Sequence, residues 1–247
     1  MKSGKAVTAD LGAILPDRTR NALTRFARHV PNRLALAGSI AMAAQFARLP
    51  MEHHKRVGRR FGDIDFVAPS LDALPASLAD EFICPHVHGD VEAGRTLAQF
   101  VHHQDAIRID VFRVMGHALS RAEPMQLGPL SIALLSLEDQ AARAASLCMK
   151  LVRDGSVVAK HLRDFLQLRD VVSDRIDAVW QEYRRASEPL RFVDAAAEIE
   201  AAARSHPERL LSPEFNRNPN IACRDCKASG VFRPAEPSRI MQILGYW

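Results

Sequence analysis

No apolar run in this sequence approaches the roughly 18–20 residues that a membrane-spanning helix requires, so no membrane partner is expected. The basic start, Met1-Lys2-Ser3-Gly4-Lys5, is followed by no useful apolar stretch before Asp10, and a secretory signal is not expected either. Cysteine is scarce. Cys84, Cys148, Cys223 and Cys226 are too few and too scattered for a disulfide framework, which fits a reduced, cytoplasmic setting. Internal repeats and low-complexity segments are missing, as are a Walker phosphate loop, a dinucleotide fingerprint and a serine-nucleophile motif.

What is present has a globular balance: 47% hydrophobic and 25% charged residues over 247 positions can build a substantial core. One domain with an appendage, or two small domains, is expected. A net charge of +4 permits a polyanionic partner without demanding one.

Along the chain, Asp17–Val30 carries Leu23, Phe26, Ala27 and Val30 at three- and four-residue spacing, which predicts an amphipathic helix behind Pro16. After the Pro31-Asn32 break, Arg33–Ala37 reads as a short apolar strand, and Gly38-Ser39 turns it into an Ala-rich helix over Ile40–Arg48. A long basic connection, 49–62, leads to a strand bearing Asp63 and Asp65. A helix over 72–80 and strands over 81–88, 95–102 and 106–114 follow, the last three extending the sheet in antiparallel fashion.

From residue 137 the pattern becomes helical. Ser136-Leu137-Glu138-Asp139 resembles a capping box with Asp in place of Glu, and helices are predicted over 137–152, 157–172, 174–187 and 191–204. The proline-rich last 35 residues read as irregular up to a short apolar end, Ile240–Trp247. The expected fold class is therefore α+β: a mixed-sheet catalytic domain (1–135), a C-terminal helical bundle (136–212) and an irregular tail (213–247).

Three short stretches point to one site. In Asp63-Ile64-Asp65 the carboxylates leave one face of a strand with Cα atoms about 6.5 Å apart, a spacing from which two hard oxygen ligands can hold Mg²⁺. Upstream lies Leu36-Ala37-Gly38-Ser39, and downstream Arg108-Ile109-Asp110-Val111-Phe112. There Ile109 and Val111 alternate toward the core, while Asp110 faces outward with Arg108 and Phe112.

A strand, a Gly-Ser turn, a helix, an Asp-x-Asp strand and a third Asp on a later strand resemble the polymerase-β-like nucleotidyltransferase superfamily, over roughly residues 30–170. The resemblance implies a catalytic triad of Asp63, Asp65 and Asp110, with Asp110 as general base or metal ligand. It also implies two Mg²⁺ ions (Mn²⁺ possible) held by the three aspartates, and attack of an acceptor hydroxyl on the α-phosphate of an NTP with release of pyrophosphate. Gly38 lets the backbone approach a phosphate, and the Ser39 hydroxyl with the N–H groups opening the next helix can bind the triphosphate. The interval from Ser39 to Asp63 is longer than the superfamily usually has, and the basic loop accounts for the excess.

Within the superfamily, the chain is most similar to AbiEii-type abortive-infection nucleotidyltransferases, the toxins of bacterial toxin–antitoxin pairs. Arg59 sits where those proteins carry an Arg before the paired aspartates, and Arg60 adjoins it. Lys150 and Lys160-His161-Leu162-Arg163-Asp164 are similar to their lysine helix and basic-Asp segment, with Arg143 competing for the lysine's role. This implies a nucleotide between the two domains, with Arg59, Arg60, Lys150 and Lys160 as phosphate ligands. It further implies RNA, a tRNA end or a protein hydroxyl as acceptor, and a cognate antitoxin as partner. The alternatives are a small-molecule, aminoglycoside-type nucleotidyltransferase and a non-catalytic nucleotide-binding module.

Other residues read as ordinary. Cys223-Arg224-Asp225-Cys226 has metal-ligand spacing, but a zinc site needs four ligands and there is no second Cys pair; His206 is a remote contributor. His53-His54, His102-His103 and the pair His86/His88 read as surface or sheet residues.

Overall fold

The computed structural model describes residues 11–30, 33–50, 61–212, 226 and 229–245. Contacts divide the chain into two compact units: residues 1–114 with 118–135 and 220–247, and residues 115–117 with 136–219.

The first unit is built on a seven-stranded sheet. Its strands are β1 (Ala35–Ala37), β2 (Asp63–Ala68), β3 (Phe82–Val87), β4 (Thr96–His102), β5 (Arg108–Arg113), β6 (Glu123–Leu127) and β7 (Leu130–Leu134), in the spatial order β3-β4-β5-β2-β1-β7-β6. The β2–β5 and β1–β7 pairs are parallel and the others antiparallel, so the sheet is mixed. Period-two alternation assigns the faces: Ile64, Phe66, Val87, Phe100, Ile109 and Val111 all lie in one buried cluster. Against them packs the helix Asp17–His29, whose Leu23 and Phe26 are fully buried. The Phe26 ring lies 5.0 Å from that of Phe66, 5.5 Å from Phe82 and 5.7 Å from Phe100, and so joins three strands.

Two differences from the sequence expectation have physical causes. Instead of a helix over 72–80 there is a 3-10 turn, Leu71–Ala73, and a short helix, Leu78–Glu81. Pro75 lies between them; it has no N–H to donate and disfavours helical geometry at Leu74. The β6–β7 hairpin is not evident in the sequence, because Pro124 and the Gly128-Pro129 connection mask its alternation of Met125, Leu127, Ile132 and Leu134, all buried.

The second unit is helical. Its longest helix, Leu137–Val152, contacts the helices Ala159–Arg169, Ile176–Tyr183 and Phe192–Ser205. Ser136 caps it, its Oγ accepting from Asp139 N at 3.0 Å. The reciprocal half of a capping box is replaced: the buried Asp139 carboxylate accepts from Ser136 Oγ at 2.6 Å and from the Tyr183 hydroxyl at 3.0 Å. Trp180, fully buried, donates from Nε1 to Pro189 O and packs beside Phe192.

Candidate functional site

The site begins where β1 ends. Ala37 pairs with Asp65 across the β1–β2 ladder, and the next residue, Gly38, opens the helix Gly38–Phe46. Gly38 has φ +63°, and a Cβ built on it would lie 1.9 Å from Asp65 Oδ2 and 2.9 Å from Asp65 Cβ. Glycine is therefore required here both for its backbone conformation and because the Asp65 side chain fills the space a larger residue would need. Ala37 precedes the helix and provides no side-chain cap, and the first-turn N–H groups at Gly38 and Ser39 open the helix beside the Asp65 carboxylate.

β2 and β5 run parallel in a register that sets Asp63 beside Arg108 and Asp65 beside Asp110. Period two then places Asp63, Asp65, Arg108 and Asp110 on one face. The three aspartates offer carboxylate oxygens that all lie within 4.8 Å of one another. Asp63 and Asp65 are half-buried; Asp110 lies on the face away from Ile109 and Val111, as its alternation predicts, but is only 5% exposed.

Arg108 lies among them, with Nη2 3.0 Å from Asp63 Oδ2 and Nε 3.0 Å from Asp110 Oδ2. Burial works against its charge, but Asp110, Asp63 and Asp65 outweigh that effect and hold its pKa above the ordinary value. At Asp110 burial dominates and pushes the carboxyl up to about 6; the charge on Asp63 adds to this, and Arg108 and Gln99 oppose it. Oδ1 of Asp110 is buried without a well-aligned hydrogen bond. One guanidinium among three carboxylates leaves two net negative charges when all are ionised, which one divalent cation would balance. An all-oxygen donor set of three clustered carboxylates fits Mg²⁺ or Mn²⁺.

The register extends this row. Asp65 pairs with Asp110, Asp110 with Gln99 on β4, and Gln99 with His86 on β3. Gln99, Asp110 and His86 are buried polar residues on the face opposite the apolar core. Burial, aided by His88, pushes the His86 imidazole down to about 4. Against the reading of His86 and His88 as ordinary sheet residues, the structure gathers both with Cys226, their ligand atoms within 4.8 Å of one another.

Of the sequence-predicted residues, Gly38, Ser39, Asp63, Asp65 and Asp110 are brought together. Arg59 and Arg60 lie outside the described residues, as do Cys223 and the His53-His54 doublet. Lys150 is exposed in the last turn of Leu137–Val152, and Lys160 is half-buried in the first turn of Ala159–Arg169, both in the second unit. His206 is also in that unit, with Nδ1 3.2 Å from Glu208 Oε1. Arg108 joins the aspartates as a site residue that the sequence motif does not single out, although its position two residues before Asp110 places it on the same strand face.

No family model matches the sequence, and no curated protein matches it. Among solved structures, the chain is similar to an antigenic nucleotidyltransferase-like protein from Paracoccidioides brasiliensis, with 11% identity over 78% of this chain and 90% of that chain and a TM-score of 0.44.

Proposed function

We propose that the chain is a metal-dependent nucleotidyltransferase that moves a nucleoside monophosphate from an NTP to a hydroxyl acceptor. The observation that carries this reading is the convergence of Asp63, Asp65 and Asp110, with Asp65 packed against the helix start at Gly38. A carboxylate cluster beside a helix N-terminus suits a cation and a phosphate at one place.

Asp63, Asp65 and Asp110 would hold Mg²⁺ or Mn²⁺. When bound, the metal would supply charge neutralisation on the phosphates and a lowered pKa for the acceptor hydroxyl. Gly38 and Ser39 bind phosphate oxygens through their N–H groups and the Ser39 hydroxyl. Arg108 holds the carboxylates of Asp63 and Asp110 in place. The Asp110 carboxylate takes the proton of the acceptor hydroxyl as the new bond to the α-phosphorus forms, and the bond to pyrophosphate breaks.

The acceptor is a hydroxyl of RNA, with a tRNA end or a protein side chain as further candidates, and the activity is that of an AbiEii-like toxin held in check by an antitoxin. The support is the basic connection that carries Arg59 and Arg60, which favours a polyanionic acceptor over an aminoglycoside. Incubating the protein with each labelled NTP, Mg²⁺ or Mn²⁺, and total tRNA or lysate tests the whole reading. Label transfer should appear and be lost in Asp65→Asn and Asp110→Asn. Transfer that persists unchanged in those variants would overturn the site, and the absence of both transfer and Mg²⁺-dependent nucleotide binding would overturn the enzyme.

A further inference from the structure

We propose that His86, His88 and Cys226 form a second metal site, specific for a borderline-soft divalent cation of the Zn²⁺ type and independent of the aspartate triad. His86 and His88 are two apart at the end of β3, the edge strand of the sheet, with their rings 4.3 Å apart. Cys226 comes from the far end of the sequence, 140 residues away, and its Sγ lies 3.0 Å from His86 Nδ1. A tetrahedral ion with bonds of about 2.0–2.3 Å sets its donors about 3.3–3.8 Å apart. Three N and S atoms within 4.8 Å of one another need only small side-chain rotations to reach that shell.

The donor chemistry separates this site from the first. Thiolate and imidazole select Zn²⁺ over Mg²⁺, whereas the all-carboxylate triad does the reverse. Cys84, although nearby, is not a ligand. Its Sγ–H is engaged elsewhere, donating to His86 O at 3.3 Å. On binding, Cys226 gives its thiol proton to solvent, and the imidazoles bind through unprotonated ring nitrogens. Three protein donors leave a tetrahedral ion one position for an exogenous ligand.

The ion would fasten the C-terminal segment to the sheet at a point already marked by packing. Ala235 N donates to Cys84 O at 2.8 Å, and the Phe232 ring lies 5.3 Å from Phe100. Because His86 lies in the row that runs through Gln99 to Asp110, the fastened segment would border the face that carries the triad.

The test uses the full chain, dialysed against chelator and titrated with Co²⁺ and then Zn²⁺. One equivalent of Co²⁺ should raise a thiolate-to-cobalt charge-transfer band that Zn²⁺ abolishes, and Zn²⁺ should raise the unfolding temperature. The band should be lost in Cys226→Ser, and affinity should fall at least about tenfold in His88→Ala. It should be intact in Asp65→Asn, so failure of this site and failure of the triad are read separately. Both variant positions are half-buried, which spares the fold, unlike the buried His86. No thiolate band, or a band unchanged in Cys226→Ser, would overturn the proposal.

Discussion

Replacing Gly38 with Ala should destabilise the protein in two separable ways. The first is backbone: a Cβ at φ +63° places the residue in the left-handed region, at a cost of about 1–2 kcal/mol. The second is steric. The new methyl would lie 1.9 Å from Asp65 Oδ2, so the carboxylate must swing out of its rotamer, which adds about 0.5–1.5 kcal/mol. Together the loss is roughly 1.5–3.5 kcal/mol. Chemical unfolding followed by circular dichroism, in Gly38→Ala, Asp65→Gly and the double variant, separates the two contributions. In the Asp65→Gly background the three nearest contacts of the added methyl disappear, and the backbone cost of about 1–2 kcal/mol should dominate what remains. A Gly38→Ala cost below about 0.5 kcal/mol, or the same cost in both backgrounds, would refute the claim that Asp65 packs against the turn.

Metal-free protein should lose stability as pH rises. Asp110 titrates near 6 when folded and near 4 when unfolded, so the folded state holds the extra proton in between. The unfolding free energy should fall by roughly 3 kcal/mol at most from about pH 4 to pH 6, and the fall should vanish in Asp110→Asn, as urea titrations across that range would show. Arg108→Leu removes the partner of the buried Asp110 and half-buried Asp63 carboxylates and should cost roughly 3 kcal/mol without metal, less when Mg²⁺ is added before denaturation. Phe26→Ala opens a cavity between the helix Asp17–His29 and three strands; thermal and urea unfolding should register a loss of about 3–5 kcal/mol. Ser136→Ala should cost about 1–2 kcal/mol in denaturant unfolding, since it removes both the cap and a donor to buried Asp139.

The aspartate triad was legible because its geometry is local. Asp63 and Asp65 share one strand, and a parallel neighbour in register is enough to bring Asp110 beside Asp65. The helix Leu137–Val152 was legible for a similar reason, through its periodicity and the Ser136 cap. What escaped depended on partners that periodicity does not specify. Arg108 shows its face but not that it would bridge two carboxylates. His86 and His88 acquire a third donor only when a segment 140 residues later folds back to β3. The hairpin of β6 and β7 and the break at Pro75 were hidden by prolines, whose effect depends on whether the lost donor was needed in the ladder or helix.

The way the end of the chain meets β3 also governs how the protein behaves in crowded solution. A strand at the margin of a sheet is a template on which a stranger's strand can grow. Here part of that margin is occupied: Pro234 bridges to Cys84, and Ala235 takes the Cys84 carbonyl. Shortening the chain before Phe232 would uncover that edge together with the phenylalanine-lined patch beneath it. The truncated protein would then be expected to self-associate, so the last stretch of sequence serves the solubility of the first unit as well as its architecture.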